Sequence, residues 1–161
     1  MILVTVGTEK FPFDRLMRWI DALIRQGFLL EDEEIIVQYG TCQFLPSGVK
    51  VYSLLPEIKF RQLMASARLI IAHCGEGTIN LLEETNTPYI LVPRSSKLQE
   101  HIDDHQIELA LALSQSDVPI AWSPGDLARF LAKPQYRSSS VVPESNVMAL
   151  CQNLEARFAP K

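Results

Sequence analysis

The run Leu69-Ile70-Ile71-Ala72-His73, stopping abruptly at Cys74-Gly75-Glu76-Gly77-Thr78, constrains this chain more than any other feature. An apolar run without polar alternation makes a strand covered on both faces, the habit of parallel sheets. The glycines that follow suit a tight turn into a helix. The same unit recurs along the chain. Strands are predicted at Ile2–Val6, Glu34–Tyr39, Val49–Leu54, Leu69–His73, Tyr89–Val92 and Val118–Trp122. Helices are predicted at Phe13–Arg25, Pro56–Ala67, Gly75–Glu84, Ser96 to Leu113, and from Ser123-Pro124 to Ala132. The helix from Ser96 is placed by a capping box with Gln99. Residues 133–144 read as a loop and 146–158 as a terminal helix. Strands alternating with helices mean βαβ units. The expected fold is therefore α/β, a Rossmann-like parallel sheet with helices on both faces, in one domain spanning 1–161.

Charge and composition narrow the function. A net charge of −4 argues against a general nucleic-acid footprint. No apolar run approaches the ~18–20 residues of a membrane span. Met1–Val6 lacks a basic flank and reads as a strand, not a signal peptide. Cys42, Cys74 and Cys151 are widely spaced with no C-x-x-C, as expected of reduced thiols in a cytosolic protein.

Ligands of open α/β sheets bind beyond the carboxyl ends of the strands. That rule directs attention to Gly7-Thr8, Gly40-Thr41, His73–Thr78 and Pro93–Lys97. In the glycine turn, Gly75 and Gly77 permit close backbone approach, and the N–H groups of Glu76, Gly77 and Thr78 would open a helix. Such an N-terminus accepts phosphate without a lysine. The pattern is not the dinucleotide G-x-G-x-x-G, because Asn80 holds the third glycine's place. A ligand-free tight turn has the same spacing, so the glycines alone do not decide. Cys74 beside His73 would have to act as a nucleophile on a residue that alternation turns away, and no G-x-S-x-G elbow exists.

A third cluster is Glu100-His101-Ile102-Asp103-Asp104-His105-Gln106. If helical, Glu100, His101 and Asp104 share one face, with Ile102, Leu109 and Leu113 toward the core. The face suits either sugar hydroxyls or plain solvation. His101 and His105 have zinc-helix spacing, but Ile102 replaces the glutamate of H-E-x-x-H and no third ligand is evident, so no metal is expected.

At these residues the chain resembles a known family. ILVTVGT, AHCGEGTINLLEE and LVPRSSKLQEHIDDHQIELA together resemble the C-terminal domain of family-28 glycosyltransferases over roughly residues 1–115. The small free-standing versions are the most similar. They are the donor-binding subunits of the two-piece transferase that adds the second GlcNAc to lipid-linked oligosaccharide and of two-piece exopolysaccharide transferases. The resemblance implies half of a GT-B enzyme, a hexosyltransferase subunit inactive without its partner. Its donor would be a UDP-sugar (UDP-GlcNAc, UDP-glucose or UDP-glucuronate), with no cofactor. It implies diphosphate contacts at Gly7, Thr8, Gly75, Glu76, Gly77 and Thr78, and sugar contacts at Glu100, His101 and Asp104. The general base and acceptor site would lie on a membrane-anchored partner that recruits this cytoplasmic chain to the membrane. Arg94 and Lys97 are the nearest cations expected to offset the phosphate charge.

Two positions depart from the family pattern. Leu81 stands where many members carry an acid for the ribose, and Arg68 where an aspartate is frequent. A nucleotide-sugar sensor without catalysis, and an unrelated doubly wound domain, remain alternatives. Thr8-Glu9 is not the acidic pair of a response regulator.

Overall fold

The structure, a computed structural model, describes residues 1–29 and 32–133. The predicted helix 146–158, and the predicted loop beyond Lys133, lie outside the described residues. Five strands, β1 (Ile2–Thr5), β2 (Ile35–Gln38), β3 (Lys50–Tyr52), β4 (Leu69–His73) and β5 (Tyr89–Val92), form one parallel sheet ordered β3-β2-β1-β4-β5. Helices are α1 (Asp14–Arg25), α2 (Glu57–Ser66), α3 (Glu76–Glu83), α4 (His105–Ser114) and α5 (Pro124–Ala132).

Strand alternation divides the core into two layers. Ile2 and Val4 of β1 with Leu69 and Ile71 of β4 pack toward α1 and α5, meeting Leu16, Ile20 and Leu127. Leu3, Ile70 and Ala72 face the other way, toward Phe60, Met64, Ile79, Leu82 and Leu109 of α2, α3 and α4. Both faces are covered, which is why these strands carry no polar alternation. The chain winds outward from β1 to β3, then returns to place β4 on the other side of β1. The order therefore reverses between β1 and β4, a switch point that opens a crevice at their carboxyl ends. Arg68, just before β4, grips Glu33 through both carboxylate oxygens at 2.7 and 2.6 Å.

Two predicted elements are corrected. The sixth strand, Val118–Trp122, is reduced to a single bridge, Leu91 to Ile120. Asp117 at φ +57° and Pro119, which has no N–H to give, restrict the pairing. The helix predicted from Ser96 to Leu113 is broken. A 3₁₀ turn at Ser96–Leu98 ends at Gln99 in the left-handed region (φ +58°), and α4 starts only at His105. Ile102, expected in the core, is 76% exposed.

Tertiary contacts account for that break. Arg94 is fully buried, and its guanidinium donates to Val6 O at 2.6 Å, Phe11 O at 2.6 Å and Glu100 O at 2.9 Å. Arg15 of α1 donates to both Glu100 oxygens, each at 2.8 Å, and to Pro93 O at 2.8 Å. These bonds draw Glu100 inward, off any helical path. Asp104 turns back to accept from the Ser96 N–H and hydroxyl, each at 2.9 Å. Charge-assisted bonds outweigh one capping box here.

Replacing Arg94 by Met strips partners from three carbonyl oxygens, two of them in wholly buried bonds. The expected loss is about 3–5 kcal/mol in urea unfolding. Arg94→Lys recovers only part, because one ammonium lacks the planar fork.

Candidate functional site

A cleft of about 550 Å³ lies at the carboxyl ends of β1, β2 and β4, where the strand order reverses. A second cleft of similar size, about 580 Å³, is lined by Arg68 and Pro88, which precede β4 and β5. It sits at the opposite strand ends, so the first is the candidate ligand cleft by position.

Its floor is a polar layer. The Thr5 hydroxyl donates to Gln38 Oε1 at 2.6 Å and accepts from the Gly7 N–H at 3.3 Å. Gly7 has φ +74°, and a Cβ on Gly40 would stand 2.9 Å from the Gly7 carbonyl oxygen. The β1 and β2 strand ends are thus fitted to each other without a side chain between them.

His73, at the end of β4, also lines the cleft, yet only 6% of it is exposed. Its ring is wedged between two glycines. A Cβ on Gly7 would come within 2.5 Å of Cε1, and one on Gly75 within 2.4 Å of Nε2. Nδ1 has no hydrogen-bond partner. Burial, then the Arg94 charge, lowers the imidazole pKa to about 3, with the Thr5 backbone opposing and His101 adding to the fall. His73 is therefore neutral near pH 7. Residue-type reasoning reached this strand end but gave His73 no role; the signal was a histidine flanked by glycines on two neighbouring strand ends.

The glycines divide by task. Gly7 and Gly75 leave room for His73. A Cβ on Gly77 meets nothing within 4 Å, so packing inside the protein does not require a glycine there. Gly75 caps α3, whose first turn is Glu76, Gly77 and Thr78. Their N–H groups begin the helix unpaired within it.

Of the predicted site residues, Gly7, Thr8, Gly75, Glu76, Gly77, Thr78 and His101 line this one cleft. Glu100 and Asp104 do not. The shared helical face predicted for Glu100, His101 and Asp104 does not exist, because the segment is not helical. Glu100 is only 4% exposed and held by Arg15, while Asp104 holds Ser96, whose two donors keep its carboxyl below the ordinary range. His101 remains at the cleft, with Nδ1 2.9 Å from Asp103 Oδ1 and its ring tilted against Phe11. His105 and Gln106, unassigned from the sequence, line the cleft too. Sequence position placed them one turn too far along a helix that begins later.

The expected cations are corrected as well. Arg94 spends its donors on backbone carbonyls, and Lys97 is exposed on the 3₁₀ turn outside the cleft lining. Cys74 is wholly buried and its thiol is pushed up to about 12 by that burial, so it supplies no thiolate nucleophile. Among the described residues no group of three His, Cys, Asp or Glu side chains is placed to hold a metal ion. No helix among them is long and apolar enough to cross a membrane.

An α/β sheet whose switch-point cleft is closed by a glycine-rich helix start is the architecture of a GT-B glycosyltransferase half. The sequence matches the glycosyltransferase family 28 C-terminal domain over residues 1–134, and the chain belongs to that family. Among solved structures it is similar to the calicheamicin glycosyltransferase CalG4, at 16% identity and a TM-score of 0.56, covering 99% of this chain and 43% of that one. It is also similar to the glycosyltransferase of kitacinnamycin, at 16% identity and a TM-score of 0.53, covering 96% of this chain and 38% of that one. The chain thus spans less than half the length of either enzyme. No curated protein matches it.

The buried neutral His73 has a pH signature. Its folded pKa lies below the unfolded value of about 6.5, so the unfolded state binds the extra proton between about pH 3 and 6.5. Stability should fall as pH drops through that window, at up to about 1.4 kcal/mol per unit from this group. The depressed carboxyls of Glu33 and Asp104 act in the same direction at lower pH. The His73→Gln protein should therefore show a shallower slope between pH 6.5 and 5 in urea unfolding. An unchanged slope would remove His73 as its source.

Proposed function

We propose that this chain is the donor-binding subunit of a two-subunit glycosyltransferase. It holds a UDP-sugar and works with a membrane-associated partner that supplies the acceptor site and the general base. The observation carrying this reading is a convergence at the switch point: the open Gly77 on the first turn of α3 and the buried, neutral His73 meet in one cleft. Backbone N–H groups of Glu76, Gly77 and Thr78 would take the diphosphate, aided by the helix dipole. A neutral imidazole offers one further N–H. The Gly7-Thr8 turn lines the same cleft. These fixed donors stabilise the charge on a departing nucleotide diphosphate, the electrostatic part of sugar transfer, and the reading assigns no resident cofactor.

His101 is placed for the hexose. Glu100 and Asp104 serve the sugar indirectly, by fixing the loop that presents His101. Leu81 lines the cleft and offers no acceptor to a ribose. Uridine preference therefore rests on other contacts. The chain spans 43% and 38% of two similar glycosyltransferases, and the partner is proposed from the resemblance to free-standing donor-binding subunits. The acceptor is proposed to be lipid-linked, a sugar or an exopolysaccharide precursor, which brings the pair to the cytoplasmic face of the membrane.

Calorimetric titration with UDP-glucose, UDP-GlcNAc and UDP-glucuronate tests the donor reading. One of them should bind, and Gly77→Val should weaken it at least tenfold, about 1.4 kcal/mol, without loss of fold. Unchanged affinity in a folded Gly77→Val protein overturns the diphosphate assignment. His101→Ala should weaken the UDP-sugar but not UDP, since UDP has no hexose to lose. Transfer to a lipid-linked sugar by the isolated chain would overturn the two-subunit reading.

A further inference from the structure

The ligand cleft of this acidic protein has an unusual charge inventory. Among the described residues neither lysine nor arginine lines it, while three carboxylates do: Glu9, Glu57 and Glu76. All three histidines of the chain also line it, namely His73, His101 and His105. His73 is held neutral by burial and by Arg94. Any titratable positive charge in the cleft therefore comes from His101 and His105.

His105 stands at the first position of α4 and reaches across to the first turn of α3, where its Nε2 lies 2.8 Å from Glu76 Oε1. An ionised carboxylate only accepts, so Nε2 carries a proton and donates it. Both side chains are open to solvent, at 35% and 54% exposure. The pair spans the mouth of the cleft. It also sets a carboxylate at the N-terminus of α3, the place best suited to an anion. The buried, neutral His73 lines the cleft with that helix start.

We propose that His105 is an exchangeable anion-binding group. It rests on Glu76, passes its Nε2–H to a phosphate oxygen of a nucleotide diphosphate, and takes up a solvent proton as it does so. This rests on the donor reading given above and adds to it a residue and a pH dependence. A diphosphate brings more negative charge to the imidazole than one carboxylate does. The protonated form of His105 is then favoured in the bound state, and linkage makes affinity rise as pH falls. Other charged groups around these imidazoles are accounted for. His101 Nδ1 lies against Asp103, whose carboxylate also accepts the His105 backbone N–H. Lys97 lies toward Asp104, and Glu76 faces His105 from α3. Glu76 is then an internal competitor of the ligand.

The test uses whichever of UDP-glucose, UDP-GlcNAc and UDP-glucuronate binds best. Their phosphates are esterified on both sides and do not titrate in this range, unlike a terminal phosphate with a pKa of about 6. Calorimetry at pH 6, 7 and 8, in buffers of different ionisation enthalpy, reads both affinity and protons taken up. The expected result is affinity about tenfold tighter at pH 6 than at pH 8, with net proton uptake. His105→Gln should lower the uptake and flatten the pH dependence, and Glu76→Gln should tighten binding at pH 8 by about threefold or more. Binding that persists with the same pH slope and proton uptake in His105→Gln overturns the proposal and leaves the donor reading standing. So does Glu76→Gln with unchanged affinity. If none of the three nucleotide sugars binds at any pH, the donor reading fails and this proposal with it.

Discussion

A guanidinium with no carboxylate in direct contact, buried under a sheet end with its Nη groups on backbone carbonyls and its Nε unpaired, would ordinarily be a costly arrangement. Arg94 is such a group, and the cleft depends on it. Desolvation lowers its pKa, but three carbonyl dipoles point at it, Phe13 lies 4.9 Å from Cζ, and the Glu100 and Glu9 carboxylates oppose the loss. The carbonyls come from two loops, one after β1 and one after β5. Neither loop has a ladder to hold it, so their backbone groups must find partners elsewhere. Arg94 provides these with one rigid fork, which a flexible ammonium would not match. Arg15 repeats the device from outside, stacked over Phe13 and Trp19 while holding Glu100 and Pro93. The two arginines hold Glu100 and Val6, the residues just before His101 and Gly7.

The cleft floor follows from close packing rather than from empty space awaiting a ligand. His73 can occupy the switch point only because neither neighbouring strand end carries a Cβ. Its neutrality follows from the same burial and from the Arg94 charge. Packing, electrostatics and proton state are thus consequences of one arrangement. Gly77 stands apart, since its missing side chain benefits nothing inside the protein. On the donor reading, that distinction separates a glycine retained for the fold from one retained for a diphosphate.

The sheet was readable because its evidence is local. β4 and β5 have the predicted bounds, since unbroken apolar runs end at His73 and at Pro93. The other strands and α1, α2, α3 and α5 shift by a few residues at their ends. The helix from Ser96 failed for a non-local reason. A capping box was visible, but the residues that override it, Arg15 and Arg94, act on Glu100 from elsewhere in the fold. The same error displaced the site. With helical geometry assumed, Glu100 and Asp104 fell on a ligand-facing surface and His105 a turn away from it. In the folded chain the carboxylates are tied to the protein and the imidazoles are left at the cleft. Charge and position alone make Arg94 a phosphate cation, and only its depth, which sequence does not carry, removes it from the cleft.

On the donor reading, an acidic domain whose cleft is lined by no lysine or arginine among the described residues relies on short-range donors, and these work only when water is kept out. This cleft is open at its mouth. Leu54 lines it while 64% exposed, and Ile102, next to His101, is 76% exposed. Apolar residues at such a rim gain from being covered, and covering them would lower the dielectric around the N–H groups of α3. On the two-subunit reading, the acceptor-binding half would therefore add more than a base. By closing the mouth it would strengthen the same oriented dipoles that hold the diphosphate in the open cleft. Weak donor binding by the single chain and strong leaving-group stabilisation in the closed pair would then have one physical origin, the exclusion of water from fixed backbone donors.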